Sequence, residues 1–216
     1  MERKYRAVIF DFDFTLGDSA KGIEKSINYA LLELGYKERE MTEIKKTIGL
    51  SLKDTFFALT GNPDSEKAAL FSSCFKRKAD EVMVANTDLY PPVKAVFTAL
   101  REAGCAIGIV TTKYHYRIDQ ILSKYEMSEM VEIIVGADDV AVEKPDPQGL
   151  LYAVSYLNLD IREVLYVGDS LVDAEAAHRA HVDFAGVLTG TTEREAFGRF
   201  DPVAVQADLC GILELI

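Results

Sequence analysis

Two kinds of hydrophobic pattern share this chain. Short apolar runs stand at Ala7-Val8-Ile9-Phe10, Ala106-Ile107-Gly108-Ile109-Val110 and Val164-Leu165-Tyr166-Val167. Runs of four or five residues without polar alternation predict strands buried on both faces. Residues 132–135, Phe184 to Val187 and Val203 to Val205 predict three more short strands. Elsewhere the period is helical. Ile23, Ile27, Ala30, Leu31 and Leu34 line one helix face, and Gly35 stands where a C-terminal cap belongs. Two shorter helices are predicted over 41–48 and 51–60, joined by Gly49-Leu50-Ser51-Leu52. Asn62-Pro63 reads as N-cap and first residue of another, whose stripe is Phe71, Cys74, Phe75 and Val82. Later helices are predicted from Val93 to Gly104, over 115–124, from Pro147, along Leu171, Ala174 and Ala177, and over 207–215.

No strand is predicted between residues 20 and about 84, whereas strands and helices alternate afterwards. Alternation of this kind predicts right-handed crossovers and a parallel sheet covered on both faces. The expected fold class is therefore α/β, a doubly wound parallel sheet with an inserted all-helical cap domain. The expected boundaries are 1–16 and 86–216 for the core and 17–85 for the cap. There is no internal repeat and no low-complexity segment.

Composition narrows the partners. Hydrophobic residues make up 49% of 216, enough for a sizeable core and unlike a disordered chain. The 24 Lys and Arg face 35 Asp and Glu, a formal net charge of −11. That balance argues against binding a nucleic-acid backbone and against a polybasic membrane contact. Taken alone, it also disfavours any anionic ligand. Cys74, Cys105 and Cys210 are odd in number and far apart, which suits a reducing compartment. Met1-Glu2-Arg3-Lys4-Tyr5-Arg6 leads into only four apolar residues, short for a signal sequence. No apolar run approaches the roughly 20 residues of a membrane span. The expectation is a soluble, cytoplasmic protein, monomeric or weakly dimeric.

In doubly wound sheets ligands bind beyond the carboxyl ends of the strands, so the residues there can be read as one site. They are Asp11-Phe12-Asp13-Phe14-Thr15-Leu16, Thr111-Thr112-Lys113, Glu143-Lys144-Pro145-Asp146-Pro147 and Gly168-Asp169-Ser170-Leu171-Val172-Asp173. Asp11 and Asp13 point the same way from an extended backbone. With Asp169 they make a carboxylate cluster that needs a cation or a shared proton. An all-oxygen donor set without His or Cys suits Mg²⁺. Asp11, first after its strand, is placed to act as a nucleophile and form an aspartyl-phosphate. Asp13 can protonate a leaving oxygen and then activate water. Lys144 offers a point positive charge, and Thr111 and Thr112 can hold a phosphoryl oxygen. Asp169 can anchor the metal, and Asp173, one turn further on, can orient the ligands. Lys113 follows the threonines and can meet an anionic group. Each cluster singly also fits a helix cap or turn, Asp146 and Asp169-Ser170 among them. His115, His178 and His181 fall in no metal-ligand spacing and are expected at the surface or at helix ends.

These four ordered motifs resemble those of the haloacid-dehalogenase-like hydrolase superfamily. The helical block after the first motif resembles its helical cap, and within the superfamily the chain is similar to phosphoglycolate phosphatases. The resemblance implies Mg²⁺-dependent hydrolysis of a small phosphorylated metabolite through Asp11, with a cap that closes over the substrate. It also implies that the backbone carbonyl of Asp13, rather than its side chain, touches Mg²⁺ beside Asp11 and Asp169. Thr15 completes the first motif. One position departs: the superfamily usually has Gly where this chain has Phe14, and a phenylalanine adopts positive φ only with strain. Phe14 also sets an aromatic residue beside the site. Two alternatives stand beside the phosphatase. A sugar phosphomutase of the superfamily tends to carry Glu-Asp where this chain has Gly168-Asp169. A receiver-like phospho-acceptor module shares an acidic Mg²⁺ pocket, a Thr and a Lys on a doubly wound sheet.

Overall fold

Strand β1, Ala7–Phe10, is buried at every residue because it runs through the middle of a parallel sheet. The computed structural model describes residues 5–216; Met1-Glu2-Arg3-Lys4, part of the polar lead read above, lies outside them. The other core strands are β4 (Ala106–Val110), β5 (Ile133–Val135), β6 (Val164–Gly168), β7 (Asp183–Val187) and β8 (Ala204–Gln206). A two-residue pair, β2 (Gly17–Asp18) and β3 (Asp88–Leu89), forms a separate small sheet. The six-stranded sheet runs β5-β4-β1-β6-β7-β8, and every neighbouring pair is parallel. Numbered within the core alone, this is the order 3-2-1-4-5-6. Receiver-type doubly wound sheets have the order 2-1-3-4-5, so the topology excludes that alternative.

The order also says where ligands can bind. The chain builds outward from β1 through β4 to β5, then returns to β6 on the other side of β1. The crevice at such a reversal opens beyond the carboxyl ends of the strands. Register brings those ends level: Phe10 lies beside Ile109 and beside Val167. One residue further on, Asp11 stands level with Val110 and Gly168, just before Thr111 and Asp169.

Helices cover the sheet: α5 (Val93–Glu102), α6 (His115–Lys124), α7 (Gln148–Tyr156) and α8 (Leu171–Ala180). On α5 the predicted face Val93, Val96, Phe97 and Leu100 is buried, and Phe97 packs on Phe10 at 5.4 Å between ring centroids. A continuous core joins Ile9, Val110, Val135, Leu150, Tyr166 and Phe184. The last predicted helix is a 3₁₀ segment, Leu209–Leu215.

The chain divides into two compact units, one running to Gly17 and resuming at Leu89, the other Asp18–Asp88. The second is helical: α1 (Ala20–Glu33), α2 (Met41–Ile44), α3 (Leu52–Thr60) and α4 (Ser65–Val82). On α1, Ile23, Ile27, Ala30 and Leu31 are buried as predicted, and Gly35 follows in the left-handed region at φ 77°. Helix α2 ends at Ile44 and tightens into a 3₁₀ turn over Lys45–Thr47, short of the predicted 48. The N-cap of α4 is Asp64 rather than Asn62, because the Asp64 carboxylate accepts from the N–H groups of Glu66 and Lys67. Asn62 sits two residues earlier and accepts from the Asp64 N–H. The buried stripe of α4 is Ala68, Phe71, Phe75 and Ala79; Cys74 and Val82 are only half-buried. Phe56 packs on Phe71 at 5.5 Å and edge-on against Tyr36 at 5.6 Å, so aromatic contacts knit this unit's own core. Among the described residues, no helix is long and apolar enough to cross a membrane.

Candidate active site

The ends of the core strands bring four carboxylates and two ammonium groups together, all buried: Asp11, Asp13, Asp169, Asp173, Lys113 and Lys144. Lys144 is the hub. Its Nζ donates to Asp11 Oδ1 at 2.8 Å, to Asp173 Oδ1 at 2.5 Å and to the Tyr166 hydroxyl at 3.0 Å. An ammonium has three N–H donors, so all three are used. Burial works against the charge on Lys144, but Asp11 and Asp173 outweigh it and raise the pKa well above that of an ordinary lysine. Lys144 therefore remains charged.

Asp173 owes its position to glycine and serine. A Cβ on Gly168 would fall 2.5 Å from the Asp173 Cβ, so only glycine lets α8 bring Asp173 this close to the end of β6. Ser170 caps α8: its Oγ accepts from the Asp173 N–H at 3.2 Å and donates to Asp173 Oδ2 at 2.6 Å. The same contacts that cap the helix also present Asp173 to Lys144. The cap aims one carboxylate oxygen at Ser170 and leaves the other for Lys144. Asp146 accepts from the Gln148 N–H and shapes the turn into α7.

Asp169 is held differently. Thr15 Oγ1 donates to its Oδ1 at 3.2 Å. Gly190, in the loop after β7, backs the other oxygen: a Cβ there would lie 1.9 Å from Asp169 Oδ2. Burial, with the negative charge of Asp173 and Asp11, pushes the Asp169 carboxyl well above the usual range. Burial also dominates at Asp11, where Lys144 opposes it and Asp173 and Asp13 add to it; the result is about 7 against an ordinary 3.8. Oxygens of Asp11, Asp169 and Asp173 lie within 4.8 Å of one another, a group that can hold a metal ion. The expected set was Asp11, Asp13 and Asp169. Asp173 is close enough to join, but both of its oxygens are already engaged by Lys144 and Ser170.

Asp13 and Lys113 pair with each other. Lys113 Nζ lies 3.1 Å from Asp13 Oδ2, so the anionic group this lysine meets belongs to the protein. Thr111 Oγ1 accepts from the Lys113 N–H at 3.2 Å, which ties this loop to the end of β4. Thr111 is buried and Thr112 half-buried beside it.

Phe14 adopts the backbone that a glycine favours, at φ 60°. The loop around it is closely bonded: its N–H donates to Gly17 O at 2.8 Å, and Leu16 N–H donates to Phe12 O at 2.9 Å. Thr189 Oγ1 donates to the Phe14 carbonyl. The strained residue is therefore held from both sides, and its ring is buried at 5% exposure.

Three participants escaped the sequence reading: Tyr166, Thr189 and Gly190. Tyr166 carried a signal, since a hydroxyl in a fully buried strand needs a partner. The histidines stand outside the site. His115 begins α6 and bonds Asp139, His181 ends α8 in the left-handed region, and His178 lies in its last turn.

The sequence matches the family model described as haloacid dehalogenase-like hydrolase over residues 8–187. It is 32% identical over 216 residues to a phosphoglycolate phosphatase of Nitrosospira multiformis, spanning 98% of this chain and 95% of that one. It is 35% identical over 182 residues to a phosphoglycolate phosphatase of Cereibacter sphaeroides, spanning 82% and 83% of the two chains. Its fold superposes on the crystal structure of a haloacid dehalogenase-like protein from Bacteroides fragilis with a TM-score of 0.94, at 39% identity over 97% of this chain and 100% of that one. The chain belongs to the haloacid dehalogenase-like hydrolase family.

Two predictions arise from this geometry. Because Asp11 is raised from 3.8 to about 7, the folded protein binds more protons than the unfolded chain between those values. Stability without metal should therefore fall as pH rises through that window. Melting in EDTA should be lower at pH 7.5 than at pH 5.5, and a divalent cation should narrow the gap, since it displaces those protons. An EDTA melting temperature that rises across the window would contradict this. The second concerns Phe14→Gly. Relief of left-handed strain gives back about 1–2 kcal/mol, while deleting a buried phenylalanine side chain costs about 3–5 kcal/mol. Net destabilisation of about 1–4 kcal/mol is expected in urea unfolding; a stabilised variant would show that the strain dominates.

Proposed function

We propose that this protein is a Mg²⁺-dependent phosphatase that hydrolyses a small phosphorylated metabolite by way of an aspartyl-phosphate on Asp11. The observation that carries the reading is the Asp11 carboxylate. It is fixed by Lys144 at 2.8 Å, grouped with Asp169, and followed two residues on by Asp13. The family and its phosphoglycolate phosphatase members support the same chemistry.

The donor chemistry fits a hard divalent cation. Four buried carboxylates share two ammonium groups, and the Asp169 side chain meets a hydroxyl instead. Asp11, Asp169 and the backbone carbonyl of Asp13 would hold Mg²⁺. When bound, it supplies positive charge that keeps Asp11 ionised and offsets the phosphoryl oxygens.

In the first half-reaction an Asp11 oxygen bonds to phosphorus while the ester P–O bond breaks. For this step Asp13 must enter protonated rather than as the carboxylate paired with Lys113, and it gives that proton to the departing alcohol. In the second, Asp13 takes a proton from water, the water oxygen bonds to phosphorus, and the bond to Asp11 breaks to release inorganic phosphate. Lys144, its three N–H donors already used, offers its positive charge to the phosphoryl oxygens, and the Thr111–Thr112 corner holds them through both steps, so catalysis is mainly positioning and electrostatics. Lys113 keeps the Asp13 side chain in place.

The structure also bears on the phosphomutase alternative. Mutases of the superfamily tend to carry a glutamate at the position of Gly168, and here Asp173 fills the space that any side chain would need. Phosphoglycolate is the first substrate to test, because the relatives carry its name. Sugar phosphates, nucleotides and pyrophosphate complete the panel, each assayed with Mg²⁺ and with EDTA. Asp11→Asn should lower turnover about a thousandfold or more, and Asp13→Asn about a hundred- to ten-thousandfold. Both should leave the circular dichroism spectrum unchanged. Near-wild-type turnover by Asp11→Asn would refute the mechanism.

A further inference from the structure

Strand β6 is fully buried from Val164 to Val167, yet it includes the phenol of Tyr166. A phenylalanine would fill the same space without the cost of burying a hydroxyl. The partners of that hydroxyl come from three other parts of the site. It donates to the Val110 carbonyl at 2.9 Å, receives Lys144 Nζ at 3.0 Å, and lies 3.2 Å from Asp173 Oδ1. Val110 is the last residue of β4, and its carbonyl belongs to the peptide unit that leads into Thr111. The other polar end of that unit, the Thr111 N–H, donates to Val135 O at 3.0 Å. The peptide is thus pinned at both ends, one of them by Tyr166.

At Lys144 the same hydroxyl is the one uncharged acceptor of the three. Asp11 and Asp173 both attract the ammonium, and phosphoryl transfer consumes the charge on Asp11. A neutral third acceptor anchored in the sheet holds the ammonium in place while its partner changes. We propose that Tyr166 is a positioning residue for phosphoryl transfer. Its hydroxyl fixes the Lys144 ammonium against Asp11 and the backbone before Thr111, without touching substrate. The effect on rate rests on the phosphatase reading; the effect on Lys144 does not.

Tyr166→Phe keeps the ring and its packing on Phe184, at 6.3 Å between centroids, and removes only the hydroxyl. Two readouts separate the outcomes. In protein labelled with nitrogen-15 lysine, the buried Lys144 ammonium should give slowly exchanging protons, assigned by their loss in Lys144→Arg. In Tyr166→Phe these should exchange about tenfold faster or more, as expected for one lost hydrogen bond to a charged group. With p-nitrophenyl phosphate and saturating Mg²⁺, kcat should fall about tenfold while KM stays within about twofold. The melting temperature should change by no more than a few degrees. Unchanged ammonium exchange overturns the proposal, as does an unchanged kcat in an active enzyme, or a loss of rate that merely follows a loss of folded protein. If the wild type hydrolyses no phosphomonoester, the phosphatase reading fails, and ammonium exchange alone still decides the role of Tyr166.

Discussion

Burying Asp11 and Asp173 side by side costs free energy that a positive charge in the same low-dielectric space can offset. Lys144 supplies that charge, at 2.8 and 2.5 Å. The rest of the site follows from keeping this arrangement in register. Gly168 leaves room for Asp173, Ser170 turns it, β1 delivers Asp11 at the level of β6, and Tyr166 completes the coordination of the ammonium. None of these residues achieves this alone, because a misplaced partner leaves a buried charge unbalanced.

The balance is incomplete by design. Lys144 serves two carboxylates and Lys113 pairs with Asp13, so Asp169 faces the cluster with a threonine hydroxyl as its partner. The elevated carboxyls of Asp11 and Asp169 express the same deficit of positive charge. A site in this condition can hold a metal ion. The net charge of −11 therefore says little about whether the protein accepts phosphate. It bears on solubility and on encounter at long range, whereas local sign is set by a few buried groups and the cation they can hold.

Much of this was legible in the chain. Fully buried strands announce themselves as short apolar runs, and polar clusters directly after them mark the end of a parallel sheet where ligands bind. Asp11, Lys144 and Asp169 were found on that ground, and Asp173 by its helical spacing from Asp169. What escaped was set by tertiary approach. The pairing of Lys113 with Asp13 depends on two loops meeting across the sheet, and nothing in either loop encodes the partner. Thr189 and Gly190 follow β7 in a stretch, Leu188 to Thr192, with no charged residue, so only the close approach of Gly190 to Asp169 reveals their part. Phe14 shows the limit of a propensity rule: the fold imposes φ 60° on a phenylalanine because the loop's hydrogen bonds and the burial of the ring outweigh the strain. In the helical unit, Asn62 and Asp64 are both good caps, and only backbone geometry distinguishes the one that bonds into the helix.

The proposed mechanism turns on a covalent bond between Asp11 and phosphorus. Mixing the enzyme with its best substrate and Mg²⁺, quenching in acid within a single turnover, and sequencing the peptides by mass spectrometry tests it directly. A phosphoryl group on Asp11 that forms and decays at rates consistent with turnover is the predicted result. Release of phosphate in the same interval, with Asp11 unmodified at every time point, would contradict it.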